Sequence, residues 1–167
     1  MEKWDLYNEK RELIGTDHIR GNKIPDNAYH LVVHVWIKNK NEKFLISQRA
    51  ENRATFPLMW ESVGGSVLKG ETSLQGAIRE VREEVGINLK ESEGNIIFSK
   101  LRRPVEYDDF NSILDVWFFK YDGDILLSKA TTDEVITTKW LTLKEIKKLF
   151  NQKLFVPSQS YILDLYP

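Results

Sequence analysis

The sequence predicts a mixed α/β (α+β) fold in which helices pack on a central β-sheet. Extended segments rich in Val, Ile and aromatic residues recur along the chain, one amphipathic helix interrupts them, and a charged helix follows the last strand. The chain has 167 residues, of which 41% are hydrophobic, so it can bury a sizeable core. We therefore expect a single domain over residues 1–167 whose core needs no disulfide to stabilise it.

The first part of the chain predicts a polar extension followed by a hairpin. Residues 1–29 are polar and broken by Gly and Pro, so we expect an N-terminal extension to a core at 30–150. Segment 29–37 is rich in Val, Ile and aromatic residues, and segment 44–49 resumes an extended pattern after a polar turn. This alternation of extended segments and turn residues is typical of a β-hairpin.

The segment after the hairpin has no clean period. Residues 50–60 contain Pro57 and are expected to form a loop. Val63 can form a short strand, and the following pair Gly64-Gly65 predicts a turn, because adjacent glycines commonly break regular structure.

The strongest helix prediction covers residues 72–85. Thr72 followed by Gln75 matches a capping box, and Gly86 suits the left-handed position after a helix. The apolar residues of this segment recur at helical spacing and form one stripe: Leu74, Ala77, Ile78, Val81 and Val85. Such a stripe predicts a helix that packs one face on the sheet.

The second half of the chain predicts three more strands and two helices. The strands are expected at 95–101, 112–121 and 135–141, a charged helix at about 142–151, and a short final helix at 158–165. Residues 151–167 are thus expected to form a C-terminal helical tail.

Composition excludes several classes of function. The chain has no cysteine, which removes disulfides, thiolate metal sites and cysteine nucleophiles. The net charge of −1 disfavours nucleic acid as the main partner. The N-terminus lacks the features of a signal peptide, and no apolar stretch approaches the ~20 residues that cross a bilayer. We therefore expect a cytoplasmic protein with no membrane partner.

The polar face of helix 72–85 carries three clustered carboxylates. Glu80 and Glu84 lie one turn apart, with Glu83 beside them. Like charges at this spacing repel, so the cluster is most simply explained by a bound cation, although a solvated face is the alternative. Hard oxygen ligands favour Mg²⁺, and Mn²⁺ can replace it.

The spacing around this cluster resembles the Nudix box. Five residues separate Gly65 from Glu71, seven more precede Arg79, and the pattern then runs without a gap to Ile87. All seven fixed positions and both aliphatic ones match, which by chance is on the order of one in a million or rarer. The resemblance implies the Nudix fold, an α/β/α sandwich around a mixed β-sheet.

The resemblance also implies roles for the residues of the box. Glu80 and Glu84 match the principal metal-ligating glutamates, and Glu83 matches a third that ligates metal or helps activate water. Arg79 matches the arginine that orients this cluster. All four of these residues lie in the predicted helix 72–85.

Three positions upstream of that helix complete the implied site. The carbonyl of Gly64 matches a main-chain metal ligand, Gly65 is the box glycine, and Glu71 matches a supporting glutamate. The implied reaction is hydrolysis of a diphosphate linkage in a nucleoside diphosphate derivative, with water attacking phosphorus. The physics agrees, because a metal must neutralise the phosphates while a carboxylate deprotonates the water.

Four residues outside the box are further candidates. Glu134 precedes a strand and could act as the general base, with a polar turn as the alternative. Arg49 and Arg53 could bind phosphate oxygens, and Phe56 could stack on a base, with surface charge and core packing as alternatives. Substrate selection is expected in the loops and flanking segments, at 1–29, 50–60 and 102–111.

A second resemblance, to type I isopentenyl-diphosphate isomerases, lies outside the box. Those enzymes need a cysteine shortly after a tryptophan, where this chain has Glu61-Ser62 after Trp60. Hydrolysis is therefore the leading hypothesis, and an isomerase-like protein acting on isoprenoid diphosphates is the alternative. A non-catalytic binding module is disfavoured by the complete set of box glutamates. The segments that carry this second resemblance are Leu13-Ile14-Gly15, Arg20, His30, Leu45-Ile46-Ser47-Gln48-Arg49 and Thr55-Phe56-Pro57.

His30 and His34 have the spacing of a helical zinc pair. Val32, Val33 and Val35 around them instead predict a strand. Residues four apart on a strand stand ~13 Å apart and cannot share one ion. We therefore expect both histidines to be structural.

Overall fold

A computed structural model describes residues 2–15, 17–104 and 110–165. Within these residues the chain forms ten β-strands and three α-helices. In chain order the elements are β1 Lys3–Trp4, β2 Leu6–Tyr7, β3 His18–Ile19, β4 Tyr29–Lys38, β5 Phe44–Arg49, β6 Trp60–Glu61, β7 Val63–Ser66, α1 Ser73–Val85, β8 Asn95–Arg102, β9 Ser112–Lys120, β10 Val135–Leu141, α2 Leu143–Asn151 and α3 Ile162–Leu165.

Eight of the described strands belong to one sheet. Its main path has the order β10-β5-β4-β9-β8, with β2 and β7 paired to β4 and β6 paired to β5. The pairs β10–β5, β4–β5 and β8–β9 are antiparallel. The predicted hairpin is confirmed as β4–β5, and the three later predicted strands are confirmed as β8, β9 and β10. None of the helices in the described parts of the chain is long and apolar enough to span a bilayer.

The chain divides into two compact units, and α1, β4, β7 and β9 contribute residues to both. The first unit comprises Met1–Val35, Gly64–Glu80 and Lys90–Phe118, and the second comprises Trp36–Val63, Val81–Leu89 and Phe119–Pro167. The single domain over 1–167, with its extension and tail, stays a prediction.

In the first unit, the N-terminal extension supplies core residues. Trp4, Leu6, Ile24 and Ala28 are buried in one cluster, against which Phe110 packs. The extension was expected to be only polar, but it contains β1, β2 and β3. Strands of two residues show no periodicity, so sequence patterns could not predict them.

A buried carboxylate anchors the extension to β9. Asp115 is fully buried and accepts hydrogen bonds from the Arg11 guanidinium (Nη1 to Oδ1, 2.7 Å) and the Ser99 hydroxyl (2.6 Å). Burial alone would raise the pKa of Asp115, but these hydrogen bonds and one from Ser73 together lower it. The charge is therefore retained at neutral pH, because its partners compensate for lost hydration.

In the second unit, the C-terminal tail packs around Trp36. The buried indole Nε1 of Trp36 donates to the Tyr161 hydroxyl (3.0 Å), and its ring stacks on Phe155. Buried Gln159 accepts a hydrogen bond from the backbone N–H of Ser62 (2.8 Å). The side chains of Phe155, Gln159 and Tyr161 therefore face inward from the tail.

One prediction for the tail is wrong. A continuous helix over 158–165 was expected, but the chain forms a 3₁₀ turn at Pro157–Gln159 and only then α3. The tertiary contacts of Gln159 and Tyr161 lie at this break. In so short a segment, such contacts override a weak local preference for a continuous α-helix.

Helix α1 begins and ends as the sequence predicts. The backbone N–H of Gln75 donates to the Thr72 hydroxyl (3.2 Å), and the backbone N–H of Thr72 donates to the Gln75 side chain (2.9 Å). Gly86 has φ +72°, and a Cβ there would lie 2.4 Å from the Leu126 carbonyl oxygen. The capping box and the glycine after the helix are both confirmed.

The prediction of a turn at Gly64-Gly65 is wrong. Both glycines lie inside strand β7. A Cβ at Gly64 would lie 2.4 Å from the carbonyl oxygen of Val33 on β4, and one at Gly65 would lie 2.4 Å from the carboxylate of Glu80. Glycine is required here by the close approach of neighbouring groups, rather than by a turn.

Candidate active site

Arg79 organises the part of the box that lies in the first unit. Its guanidinium donates to both carboxylate oxygens of Glu71 (2.8 and 3.1 Å), to Glu80 Oε1 (2.9 Å) and to the carbonyl of Ser66 (2.9 Å). Charge-assisted bonds of this kind are short and strong, and the planar guanidinium makes them directional. Arg79 therefore holds two carboxylates and one strand in a defined arrangement.

Glu71 reaches Arg79 from a short turn before α1. Its Oε2 also accepts the backbone N–H of Leu68 (3.0 Å), and its own backbone N–H donates to the Leu68 carbonyl (3.1 Å). The turn thus closes on itself and fixes the Glu71 carboxylate. The supporting role of Glu71 in the box stays a prediction.

Glu80 lies against the backbone of β7. Its side chain is largely buried, and the Gly65 α-carbon faces its carboxylate so closely that no larger residue would fit without a shift. Gly64 precedes Gly65 in the same strand. The geometry explains why the box needs glycine at position 65.

Glu83 and Glu84 belong to the second unit, at the C-terminal end of α1. Glu84 is 5% exposed, and Glu83 is half-buried. The carbonyl of Glu83 accepts the backbone N–H of Thr131 (2.8 Å) and of Thr132 (3.2 Å). The last carbonyls of a helix need partners from outside it, and here the partner is the segment that leads to Glu134.

The oxygen donors of this region fit a hard divalent cation. Glu80, Glu83, Glu84 and the Gly64 carbonyl offer carboxylate and carbonyl oxygens, which are the ligands preferred by Mg²⁺ and Mn²⁺. In the described part of the chain, no three His, Asp or Glu side chains already converge as a metal-ligand set. The Glu80 carboxylate instead accepts a hydrogen bond from Arg79. The metal ligands therefore remain predictions from the box.

Three of the candidate residues outside the box form ion pairs, and both pairs lie in the second unit. Arg49 Nη1 donates to Glu61 Oε1 (2.6 Å), and Arg53 Nη1 lies 2.5 Å from Glu134 Oε1. The backbone N–H of Ala50 donates to the Glu134 carbonyl (2.8 Å). Glu134 is thus in contact with one of the two arginines predicted to bind phosphate.

The sequence alone does not mark Glu61 as a member of this cluster. Burial raises the pKa of the Glu61 carboxyl above its usual value, and the nearby charges of Arg49 and Arg53 offset only part of this rise. Glu61 pairs with Ser47 across the β5–β6 ladder, which places it beside the end of β5. A single glutamate outside any motif carries no periodic signal, so only its partners mark it.

The aromatic candidates take different positions. Phe56 lies in the loop after β5 with φ +50° and is half-buried. Trp60 is buried, as expected for core packing, with Lys139 Nζ 4.7 Å from its ring centroid. Phe110 packs on the N-terminal cluster. Residues 105–109, part of the predicted specificity segment 102–111, lie outside the described residues.

His30 and His34 are both buried on β4. Burial lowers the pKa of each from 6.5 to about 3, so both are neutral at physiological pH. The His30 ring packs edge-on against Trp4, with centroids 4.3 Å apart. These positions agree with the structural role that the sequence predicts.

Comparisons with known proteins define the family. The NUDIX domain model matches residues 28–165. A Nudix hydrolase of Listeria monocytogenes, lmo0368, is 40% identical over 161 residues, covering 94% of this chain and 89% of that protein. The chain therefore belongs to the Nudix family and is an enzyme of the Nudix pyrophosphohydrolase type.

Solved structures show the same α+β fold. The structure of DR0079 from Deinococcus radiodurans is similar with a TM-score of 0.74 and 21% identity, covering 98% of this chain and 96% of that one. A bifunctional NMN adenylyltransferase/ADP ribose pyrophosphatase of Francisella tularensis, solved with AMP and Mn, has a TM-score of 0.64 and 22% identity. That match covers 82% of this chain and 40% of the other.

Similarity to isomerases is more restricted. An isopentenyl-diphosphate Δ-isomerase of Enterobacter is 31% identical over 85 residues, which cover 50% of this chain and 46% of that enzyme. The stretch after Trp60, where the resemblance implies a cysteine in the isomerases, has no cysteine in this chain, and its first residue, Glu61, is paired with Arg49.

Proposed function

We propose that this protein is a Mg²⁺-dependent hydrolase that cleaves a diphosphate linkage in a nucleoside diphosphate derivative. One observation carries the proposal. Arg79 joins Glu71 and Glu80 to the backbone of β7, on the helix that also bears Glu83 and Glu84. Carboxylates on one helix, with Glu80 oriented by an arginine, are the groups that would hold a metal for attack on phosphorus.

The chain would hold the metal through Glu80, Glu83, Glu84 and the carbonyl of Gly64. When bound, a divalent cation supplies charge neutralisation of the diphosphate and polarisation of its phosphoryl oxygens. The Francisella protein, 40% of which matches this chain, was solved with Mn, which is consistent with a divalent cation here. We assign Mg²⁺ to this chain, with Mn²⁺ able to replace it, on the oxygen-only donor set.

The remaining residues position the substrate and move one proton. Glu134 accepts a proton from the attacking water, because its segment is tied to the Glu83 carbonyl through Thr131 and Thr132. Glu83 is the alternative base. Arg53 binds a phosphate oxygen, whereas Arg49 holds Glu61 and shapes the loop that contains Phe56. Arg79 orients Glu80 without contacting the substrate.

A substrate panel with Mg²⁺ tests the proposal. Nucleoside di- and triphosphates, ADP-ribose and isopentenyl diphosphate are assayed, and ¹⁸O-labelled water identifies the phosphorus attacked. We expect hydrolysis of at least one diphosphate-bridged nucleoside compound. Glu84→Gln should lower kcat by about 100-fold or more, since it removes one carboxylate of the metal set.

Glu91→Gln is the matched control, because Glu91 is an exposed glutamate in the short 3₁₀ turn Glu91–Glu93. It should leave turnover unchanged. Absence of activity on every diphosphate compound would contradict the proposal, as would activity that Glu84→Gln does not alter. Formation of dimethylallyl diphosphate from isopentenyl diphosphate would support the isomerase alternative.

A further inference from the structure

The two arginine–glutamate pairs of the second unit differ in how firmly each arginine is held. Besides Glu61, Arg49 donates from Nε to the Thr55 carbonyl (3.0 Å) and from Nη2 to the Thr55 hydroxyl (3.4 Å). Its side chain is 14% exposed, and that of Glu61 is 13% exposed. Arg49 is therefore fully occupied in holding the loop after β5 against β6.

Arg53 is held less firmly. Among the described residues, its guanidinium has one side-chain partner, Glu134, and the two side chains are 25% and 29% exposed. A partly solvated pair is more easily exchanged than a buried one, because less desolvation has to be repaid when the partner changes. Arg53 is thus the arginine that can accept a new anion.

The four charged side chains form one electrostatic cluster. The charges of Arg49, Arg53 and Glu134 all act on the Glu61 carboxyl. Two guanidinium groups balance two carboxylates, so the cluster is neutral overall. An entering phosphate must therefore replace a carboxylate on one guanidinium to gain a close cationic partner.

Backbone hydrogen bonds allow this replacement without separating the loops. The Ala50 N–H donates to the Glu134 carbonyl (2.8 Å), and the Arg53 N–H donates to the Ala50 carbonyl (3.3 Å). The main chains that carry Arg53 and Glu134 are therefore tied together. Only the two side chains need to move when an anion binds.

We propose that the Arg53–Glu134 pair is exchanged when substrate binds, and that this exchange releases the general base. A diphosphate oxygen takes the place of the Glu134 carboxylate on the Arg53 guanidinium. The released Glu134 then accepts the proton of the attacking water. This inference rests on the proposed function, in which Glu134 is the base.

The water oxygen forms a bond to phosphorus, and one proton of that water passes to the Glu134 carboxylate. The bond from phosphorus to the bridging oxygen breaks, and its electron pair leaves with the bridging oxygen. Arg53 stays protonated throughout, because guanidinium does not lose its proton in proteins.

If the pair is exchanged, removing the negative charge of Glu134 should strengthen the binding of a diphosphate. Glu134→Gln should tighten binding of methylenediphosphonate, a diphosphate analogue whose bridging carbon cannot be hydrolysed, by about fivefold, since the competitor for Arg53 is gone. Isothermal titration calorimetry measures the affinity. In the Arg53→Gln background the same Glu134→Gln change should give no further tightening.

Kinetics give a second readout. Arg53→Gln should raise KM by about tenfold while lowering kcat by less than about threefold, because the base is already released. Glu134→Gln should lower kcat by about 100-fold. Lys90→Gln is the control, since Lys90 forms an exposed pair with Glu93 in the first unit (3.7 Å); it should change neither affinity nor rate.

The exchange would be overturned by weaker or equal analogue binding in Glu134→Gln, by additive effects in the double variant, or by a wild-type protein that does not bind the analogue. Hydrolysis of the nucleotide panel and its loss in Glu84→Gln decide the proposed function separately. An enzyme that hydrolyses the panel but shows additive effects would retain the proposed function and exclude the exchange.

Discussion

At the scale of single residues, Arg79 connects more of the candidate site than any other side chain in the described box. It bonds two carboxylates and one main-chain carbonyl, and each of these comes from a different segment: the turn before α1, α1 itself and β7. Its removal leaves Glu71 and Glu80 without their cation. The position of Glu80 therefore depends on Arg79.

We expect Arg79→Gln to lower kcat by about 100-fold with a smaller change in KM, because Glu80 loses the group that orients it. Steady-state kinetics on the best substrate of the panel measure both constants. Arg82→Gln is the matched control, since Arg82 is an exposed arginine of the same helix. Equal effects of the two substitutions would contradict the orienting role.

At the scale of elements, β5 and β6 carry a buried ion pair that links strand pairing to the charged loop. Arg49 ends β5 and Glu61 ends β6, and the two strands pair in antiparallel register beside them. Arg49 also bonds Thr55 in the intervening loop. The conformation of this loop therefore depends on one arginine.

We expect Arg49→Gln to lower the free energy of unfolding by about 3 kcal/mol, because it leaves the Glu61 carboxylate buried without its cation. Arg53→Gln should cost less than about 1 kcal/mol, since its pair is more exposed. Urea denaturation followed by fluorescence measures both values. Similar losses in the two variants would show that the pairs are equally structural.

Helix α1 shows how far local signals reach. Its apolar stripe, the Thr72–Gln75 capping box and Gly86 are all local features, and all three appear as predicted. The Gly64-Gly65 pair shows the opposite case. Local preference predicts a turn for these two glycines. They lie instead within a strand, where Val33 and Glu80 approach too closely for a larger residue.

At the scale of the whole molecule, buried neutral histidines make stability depend on pH. Burial lowers the pKa of His30 and of His34 from 6.5 to about 3. The unfolded chain therefore binds protons below pH 6.5 that the folded chain does not bind until about pH 3. Above pH 6.5 both histidines are neutral in the folded and in the unfolded chain, so they do not reduce stability. Below pH 6.5 the unfolded chain gains protons and the free energy of unfolding falls.

We expect each of these histidines to cost about 2 kcal/mol of unfolding free energy at pH 5 relative to pH 8. Denaturant unfolding at both pH values measures the loss. The variant His30→Gln should reduce this pH dependence by about one half, whatever its effect at pH 8. The same loss in the double variant His30→Gln/His34→Gln as in the wild type would contradict the assignment.

The sequence by itself determined the family, the helix α1 and the identity of the box residues. These depend on spacing within about 20 residues, where helical geometry and side-chain chemistry are set by the local chain. The positions of the main strands along the chain were also readable, because segments rich in Val, Ile and aromatic residues mark them.

Only the tertiary structure decided which charged residues are partners. Arg49 pairs with Glu61, Arg53 pairs with Glu134, and Arg11 of the extension pairs with Asp115 on β9. It likewise decided that two glycines belong to a strand. Each of these facts depends on contact between segments distant in the chain, and the energy of a buried charge or a close approach depends on what surrounds it rather than on its neighbours in sequence.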